Sequence, residues 1–105
     1  MTFGQRIAEA RKKAGFSQKE LAAKILKEDG KPISPQYLND LEFDRRNPPG
    51  EHLIEQFAKV LRIPRDVLYF DAGELPADVK SIKTDTEKVV RAYSAFRKAL
   101  RGTGQ

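Results

Sequence analysis

The apolar residues of this chain recur every three or four positions in a series of short segments. Such spacing places them on one face of an α-helix. The segments are bounded by residues that cap helices. Ser17 stands three residues before Glu20, the spacing of a capping box, and Gly15 suits the left-handed conformation that follows a helix. No stretch alternates between apolar and polar residues over the length of a strand. The sequence therefore predicts an all-α fold.

Six helical segments follow from this spacing and from the residues that bound each segment. The predicted helices cover residues 3–14, 18–26, 35–43, 51–63, 64–70 and 84–101. The first five belong to one predicted domain, residues 1–73, because a chain of 105 residues can bury one modest core. Residues 74–105 are predicted to form a linker with at most a turn or two of helix, and then a basic amphipathic helix.

Charge is unevenly distributed along the chain, whose formal net charge is +5. Residues 1–50 carry 10 basic and 7 acidic side chains, residues 51–76 carry 3 and 5, and residues 77–105 carry 7 and 3. The middle is thus acidic and both flanks are basic. Basic flanks are compatible with a polyanionic partner such as DNA, and equally with side chains that keep a small domain in solution.

Composition excludes several kinds of site. The chain has no cysteine, which excludes disulfides and thiolate metal sites, and one histidine, His52, which cannot assemble a histidine-rich metal site. No metal or cofactor is therefore expected. No apolar run is long enough to cross a bilayer, and the first residues are charged where a secretory signal would be apolar. A cytoplasmic protein without a membrane partner is expected.

Several stretches in order resemble a known family. From Phe3 to about Phe70 the chain resembles the Cro/C1-type (XRE-like) helix-turn-helix family of phage repressors and bacterial regulators. The resemblance is carried by FGQRIAEARKKAGFSQKELA, SPQYLNDLE, RRNPP and LIEQFAKVLRIPRDVLY. It implies a five-helix domain that binds double-stranded DNA, with the third helix entering the major groove.

The resemblance also implies which residues read bases. Positions matching Pro35, Gln36 and Asp40 commonly reach base edges in the family, and the position matching Asn39 can assist. Tyr37 is a further polar side chain on the same turns. The Gln36 amide suits adenine, whereas Pro35 departs from the usual polar residue and is expected to lose a base contact or to touch a thymine methyl. Asp40 is expected either to accept from cytosine or to be solvated or bonded within the protein.

A second set of residues is expected at the phosphates, where contacts position the protein without reading sequence. Helix starts favour anions, and arginines that follow the third helix point towards the DNA backbone in the family. The expected residues are Ser17, Gln18, Lys31, Ser34, Arg45, Arg46 and Asn47. For Lys31 a solvated loop is an equal alternative.

The stretch KEDGKPISPQ joins the second and third helices through a longer connection than the family uses. Ile33 and Ser34 fill the family's apolar and cap positions, so the insertion falls in KEDGKP or just before it. The second helix is therefore predicted to be about one turn longer, with a projecting loop after it.

An internal ion pair is also implied by the resemblance. Positions matching Arg11 and Glu42 usually pair and tie the first helix to the third. Exposed pairs contribute about 0–1 kcal/mol, so this pair is expected to orient the third helix more than to stabilise the fold.

Relatives bind DNA as two-fold dimers, so the chain must provide a dimer surface. Two candidates are Leu68, Tyr69 and Phe70 in the fifth helix, and a stripe in the last helix. The stripe is formed by Val89, Tyr93, Phe96 and Leu100. It can pack on its own domain, on the same helix of a second copy, or on a different protein.

The expected function is a sequence-specific transcriptional regulator, a repressor that binds a palindromic operator as a dimer. The alternative is an antitoxin or adaptor that holds a protein partner with its C-terminal helix and represses its own operon. An enzyme is not expected, because no nucleophile and base stand at an informative spacing.

Overall fold

A computed structural model of the protein describes residues 1–102 and confirms the all-α prediction. The helices are α1 (Phe3–Lys13), α2 (Gln18–Lys24), α3 (Pro35–Glu42), α4 (Glu51–Leu61), α5 (Arg65–Ala72), α6 (Ala77–Lys80) and α7 (Thr86–Arg101). Within these residues the β-structure is one isolated bridge between Leu26 and Pro32. The short α6 lies in the predicted linker. Residues 103–105, the end of the predicted C-terminal segment, lie outside the described part of the chain.

Side-chain caps fix where the first three helices begin. The Ser17 hydroxyl accepts from the Glu20 N–H at 3.0 Å, and the Glu20 carboxylate accepts from the Ser17 N–H at 2.8 Å. These hydrogen bonds lower the pKa of the Glu20 carboxyl. The stabilisation from the cap is therefore fully present at pH values above the ordinary pKa of Glu, and it is lost as pH falls through the lowered pKa. Thr2 makes a similar capping box with Gln5 at the start of α1, which the sequence analysis missed.

The core lies where α1 to α5 meet. Its buried apolar residues are Phe3, Ile7, Leu21, Ala22, Ile25, Ile33, Leu38, Leu41, Ile54, Phe57, Ala58, Leu61, Leu68 and Tyr69. The Phe3 and Phe57 rings meet edge to face, with centroids 6.2 Å apart, which joins α1 to α4. Every residue from Asp78 to Gly102 is exposed, so α7 adds no buried side chain to this core.

The start of α1 lies directly against the end of α3. A Cβ on Gly4 would overlap the carbonyl oxygens of Leu41 and Glu42 and the Asp44 carboxylate. Asp44 in turn accepts hydrogen bonds from the Thr2 hydroxyl at 2.8 Å and from the Gly4 N–H at 3.3 Å. Glycine at position 4 thus allows two backbones to approach more closely than any side chain would permit.

The predicted extension of α2 is wrong. The helix ends at Lys24, and Ile25 takes an extended conformation with φ −98° and ψ 110°. Ile25 and Ile33 are both buried, and the Ile33 N–H donates to the Ile25 carbonyl at 2.9 Å. Because both side chains must reach the core, the intervening residues fold back on themselves instead of extending the helix.

The α2–α3 turn, residues 25–33, is an ordered hairpin anchored on α4. At its tip the Lys27 N–H donates to the Lys31 carbonyl at 2.8 Å. At its base the Leu26 N–H donates to the Gln56 side-chain oxygen at 3.1 Å, and His52 Nε2 lies 2.9 Å from the Leu26 carbonyl. The extra residues are therefore accommodated without moving the start of α3 away from the core.

The dimer surface predicted on α5 is wrong for two of its three residues. Leu68 and Tyr69 are buried in the domain, and the Tyr69 hydroxyl donates to Glu55 at 2.7 Å. Neither side chain is available to a second chain, because both already pack inside the first. Phe70 is 57% exposed.

None of the helices in residues 1–102 combines the length and the apolar character needed to cross a membrane.

We expect Gly4→Ala to lower the free energy of unfolding by about 3 kcal/mol or more, because the new methyl group overlaps rigid backbone atoms. Urea unfolding followed by circular dichroism measures the change. Gly50→Ala is the matched control: it adds the same methyl group in open space, at a cost of about 1 kcal/mol or less for a weaker N-cap. Equal losses for the two variants would show that the α1–α3 contact relaxes freely.

Candidate nucleic-acid interface

Helix α3 is held by a buried carboxylate at its last residue. Glu42 accepts from Arg11 Nε at 2.6 Å and from Arg11 Nη2 at 3.0 Å, a bidentate pair. It also accepts from Gln18 Nε2 at 2.9 Å. Arg11 uses its remaining nitrogen, Nη1, to donate to the Phe16 carbonyl at 2.9 Å. One carboxylate thus joins α1, the α1–α2 turn, α2 and α3.

The expectation that this ion pair is exposed, and therefore weak, is wrong. The side chain of Arg11 is 11% exposed and that of Glu42 is 4% exposed. A buried charge that loses its partner is costly because water cannot replace the lost interaction. The pair therefore stabilises the fold as well as orienting α3, and the sequence alone gave no measure of its burial.

The first turns of α3 present polar side chains to solvent. The Ser34 hydroxyl caps the helix by accepting from the Tyr37 N–H at 3.0 Å, and Pro35 occupies the first turn. Ser34, Pro35 and Gln36 are exposed, while Tyr37 is half-buried. Burial raises the pKa of the Tyr37 phenol above its ordinary value.

A hydrogen-bonded chain connects the buried Glu42 carboxylate to Asn39 in the middle of α3 and to the exposed Arg45 after the helix. Gln18, which donates to Glu42, accepts through Oε1 from Asn39 Nδ2 at 3.2 Å. Asn39 Oδ1 in turn accepts from Arg45 Nη1 at 3.3 Å. The amides of Gln18 and Asn39 are thereby oriented by their neighbours.

The two arginines after α3 fold back over the same surface. Arg45 Nη1 lies 3.5 Å from Asp40 Oδ1, and Arg46 Nε lies 4.0 Å from Asp40 Oδ2. The Arg46 guanidinium lies 5.3 Å from the centre of the Tyr37 ring. Asp40 Oδ1 also accepts from Gln36 Nε2 at 3.0 Å. Asp40 is therefore bonded within the protein.

The structure brings together half of the residues that were predicted to lie at bases and phosphates. Gln36, Tyr37, Asn39, Asp40 and Arg45 form one connected cluster, which also includes Arg46. The contacts of Asp40 with both arginines were missed. The Gln36–Asp40 hydrogen bond has a sequence signal, since residues four apart face each other on a helix.

Three other candidates lie in exposed connections. Ser17 is exposed and its hydroxyl is engaged in the cap of α2. Lys31 lies in the α2–α3 turn, where its N–H donates to Asp29 Oδ1 at 2.9 Å. Asn47 is exposed in the loop that leads to the buried Pro49. Across residues 1–102, no group of three or more histidine or carboxylate side chains is arranged to hold a metal ion.

Helices α2 and α3 are joined by a turn, and the start of α3 is polar and exposed. This is the arrangement of a helix-turn-helix DNA-binding domain. A family model described as helix-turn-helix matches residues 7–68. The chain therefore belongs to the Cro/C1-type helix-turn-helix family, and it is a DNA-binding transcriptional regulator. None of the curated proteins matches the chain.

Two solved structures are similar to the chain. One is described as the crystal structure of the master regulator for biofilm formation SinR in complex with DNA. It is 31% identical, with a TM-score of 0.54, over 64% of this chain and 97% of that chain. The other is described as a SinR protein/SinI protein complex. It is 27% identical, with a TM-score of 0.54, over 95% of this chain and 92% of that chain.

We expect Arg11→Met to lower the free energy of unfolding by about 3–5 kcal/mol, because it leaves the Glu42 carboxylate buried without its cation. Chemical denaturation measures the loss. Lys13→Met is the control: its pair with Glu9 is 3.7 Å long and exposed, so its removal changes stability by about 0.5 kcal/mol or less. Similar losses for both variants would contradict a special role for burial.

Proposed function

We propose that the protein is a sequence-specific repressor that binds a palindromic operator as a homodimer and occludes a promoter. The observation that carries the proposal is the exposed polar surface of α3 beside Arg45 and Arg46. On this surface Gln36 is held by Asp40, and Asn39 is held by Gln18, which also donates to Glu42. In this proposal residues 1–73 bind DNA and residues 74–105 supply the dimer contact. A DNA target places the protein in the cytoplasm.

In the proposed complex α3 lies in the major groove, which accepts one α-helix and displays a distinct pattern for each base pair. Gln36 is the main base reader, because it is exposed and its amide can pair with adenine N6 and N7. Pro35, on the same exposed turn, offers apolar contact to a thymine methyl. Asn39 is held by Gln18 and Arg45, so its part in base reading is secondary.

Phosphates are contacted on both sides of the reading helix in this proposal. The N-terminal ends of α2 and α3, at Ser17, Gln18 and Ser34, offer N–H groups and a favourable helix dipole. Arg45 and Arg46 supply the charge, and their exposure leaves both guanidinium groups accessible. These contacts position the protein and read no sequence.

We expect Gln36→Ala and Arg46→Ala to weaken DNA binding in different ways. Selection of duplexes from a random pool first yields the operator, expected as a palindrome with half-sites about 34 Å apart. Gln36→Ala then costs about 1–3 kcal/mol on the operator and relaxes one base position, with little effect on random DNA. Arg46→Ala weakens both DNAs alike and lowers the slope of log K against log salt by about 1.

Two results would contradict this assignment. Selection of no common sequence, together with affinity that is flat between about 50 and 200 mM salt, would contradict DNA recognition itself. An unchanged ratio of operator to random affinity in Gln36→Ala would remove Gln36 from base reading while leaving the rest of the proposal intact.

The dimer contact is proposed to form between α7 helices of two copies. The stripe of α7 consists of Val89, Tyr93, Phe96 and Leu100, whose side chains are 41–59% exposed. Their spacing alternates between four and three residues, as in the seam of a two-helix coiled coil. Arg91 and Lys98 fall on the opposite face, so two stripes can meet without opposing these cations. The Phe96 ring also meets Phe70 edge to face, with centroids 6.4 Å apart.

We expect Tyr93→Asp to convert the dimer to a monomer, because it places a charge in the centre of the stripe. Sedimentation equilibrium of the full chain measures the change. Ser94→Asp is the matched control, since it introduces the same charge one residue away and off the stripe. Dimers of equal strength in both variants would contradict the α7 contact, and a monomeric wild-type protein would contradict dimerisation in solution.

The second candidate function is a regulator whose α7 stripe binds a different protein. The exposed stripe favours it, and so does the similarity to the SinR–SinI complex over 95% of this chain. In that case a co-encoded protein copurifies with the full chain, and Tyr93→Asp releases it while Ser94→Asp does not. A tight operator complex formed by the protein alone favours the repressor without such a partner.

A further inference from the structure

Asp40 lies in the middle of the groups that are proposed to meet DNA. Its Oδ1 atom accepts from Gln36 Nε2 at 3.0 Å and lies 3.5 Å from Arg45 Nη1. Its Oδ2 atom lies 4.0 Å from Arg46 Nε. The Asp40 side chain is 20% exposed, whereas those of Arg45 and Arg46 are 61% and 59% exposed. The Asp40 carboxylate thus contacts both arginines and also Gln36, the main proposed base reader.

This arrangement places an anion where a DNA phosphate has to bind. A phosphate and a carboxylate accept from guanidinium in the same way, so they compete for Arg45 and Arg46. In the free protein Asp40 lies at ion-pair distance from both arginines and partly neutralises their charge. When DNA phosphates take the arginines, the Asp40 carboxylate is left facing a polyanion. Only a DNA that donates a hydrogen bond to Asp40 compensates for this.

We propose that Asp40 is a specificity-determining residue that weakens binding to random DNA. This inference rests on the proposed DNA-binding function and assigns a role to one residue within it. On random DNA an arginine can contact a phosphate only by leaving Asp40, which then faces the polyanion without that partner, so fewer of these phosphate contacts form. On the operator a base amino group, cytosine N4 or adenine N6, faces Asp40 and donates to it. Specificity then comes partly from a penalty on the wrong sequence.

The size of the effect follows from charge and distance. Coulomb's law in water gives about a threefold change in affinity for one phosphate about 6 Å from the carboxylate. A second term comes from the arginines, because each arginine freed to contact a phosphate releases further counterions. Removing the Asp40 charge should therefore raise the affinity for random DNA and steepen its salt dependence together.

The test compares Asp40→Asn with Glu9→Gln in the full chain, using a random-sequence duplex and the selected operator at several salt concentrations. Each substitution removes one carboxylate that pairs with a basic side chain, and each changes the net charge equally. Only Asp40→Asn removes a charge that faces the two arginines. Affinities are measured by fluorescence anisotropy, and circular dichroism checks the fold. Asp40→Ala is a second variant, favourable for helix formation.

We expect Asp40→Asn to bind random DNA about threefold or more tightly, with a salt slope steeper by about 1–2. The ratio of operator to random affinity falls by at least the same factor. Glu9→Gln shows a smaller gain and an unchanged slope. Asp40→Ala changes random affinity in the same direction as Asp40→Asn.

Two results would overturn the inference while the proposed function stands. An unchanged affinity of Asp40→Asn for random DNA, with weaker operator binding, would make Asp40 an ordinary base contact. Equal gains and equal slopes in Asp40→Asn and Glu9→Gln would make the effect one of net charge. A wild-type protein that binds neither duplex at any salt concentration would overturn the proposed function, and this inference with it.

Discussion

The placement of α3 depends on the buried carboxylate of Glu42. A charge with so little access to water is stable only with close and well-oriented partners. Those partners are Arg11 on α1 and Gln18 at the start of α2, so satisfying one charge fixes three helices relative to one another. Apolar packing alone is less directional, and it would leave α3 freer to rotate about its axis.

The same network reaches the proposed DNA-facing surface without a break. From Glu42 it runs through Gln18 and Asn39 to Arg45, and from Arg45 to Asp40. Side chains held by neighbours lose less rotamer entropy when a partner binds. The buried carboxylate of Glu42 is thereby connected to Asn39 and Asp40 in the middle of α3 and to Arg45 after it.

The sequence predicted those parts of the fold that local rules control. The caps at Ser17 and Ser34, with Pro35 behind the second of them, marked two helix starts correctly. The end of α2 was wrong because it depends on a tertiary requirement, the simultaneous burial of Ile25 and Ile33. Local spacing carries no information about that requirement.

The sequence pattern also could not predict which apolar side chains are buried in the core. Tyr69 belongs to an apolar run that fits a core or a dimer surface equally well, and the structure places it in the core with its hydroxyl on Glu55. The bonding of Asp40 to Gln36 could have been predicted from their spacing. Its approach to Arg45 and Arg46 could not, since both arginines follow the end of α3, where helical spacing no longer predicts which side chains meet.

The α2–α3 turn isolates its tip from the rest of the domain. Its base is closed by the Ile25–Ile33 hydrogen bond and tied to α4 through Gln56, whereas residues 27–31 are all exposed. No side chain of residues 27–31 takes part in these anchoring contacts. The tip is therefore a place where a fluorophore can be attached, at Asp29, without touching the contacts that hold the turn on α4.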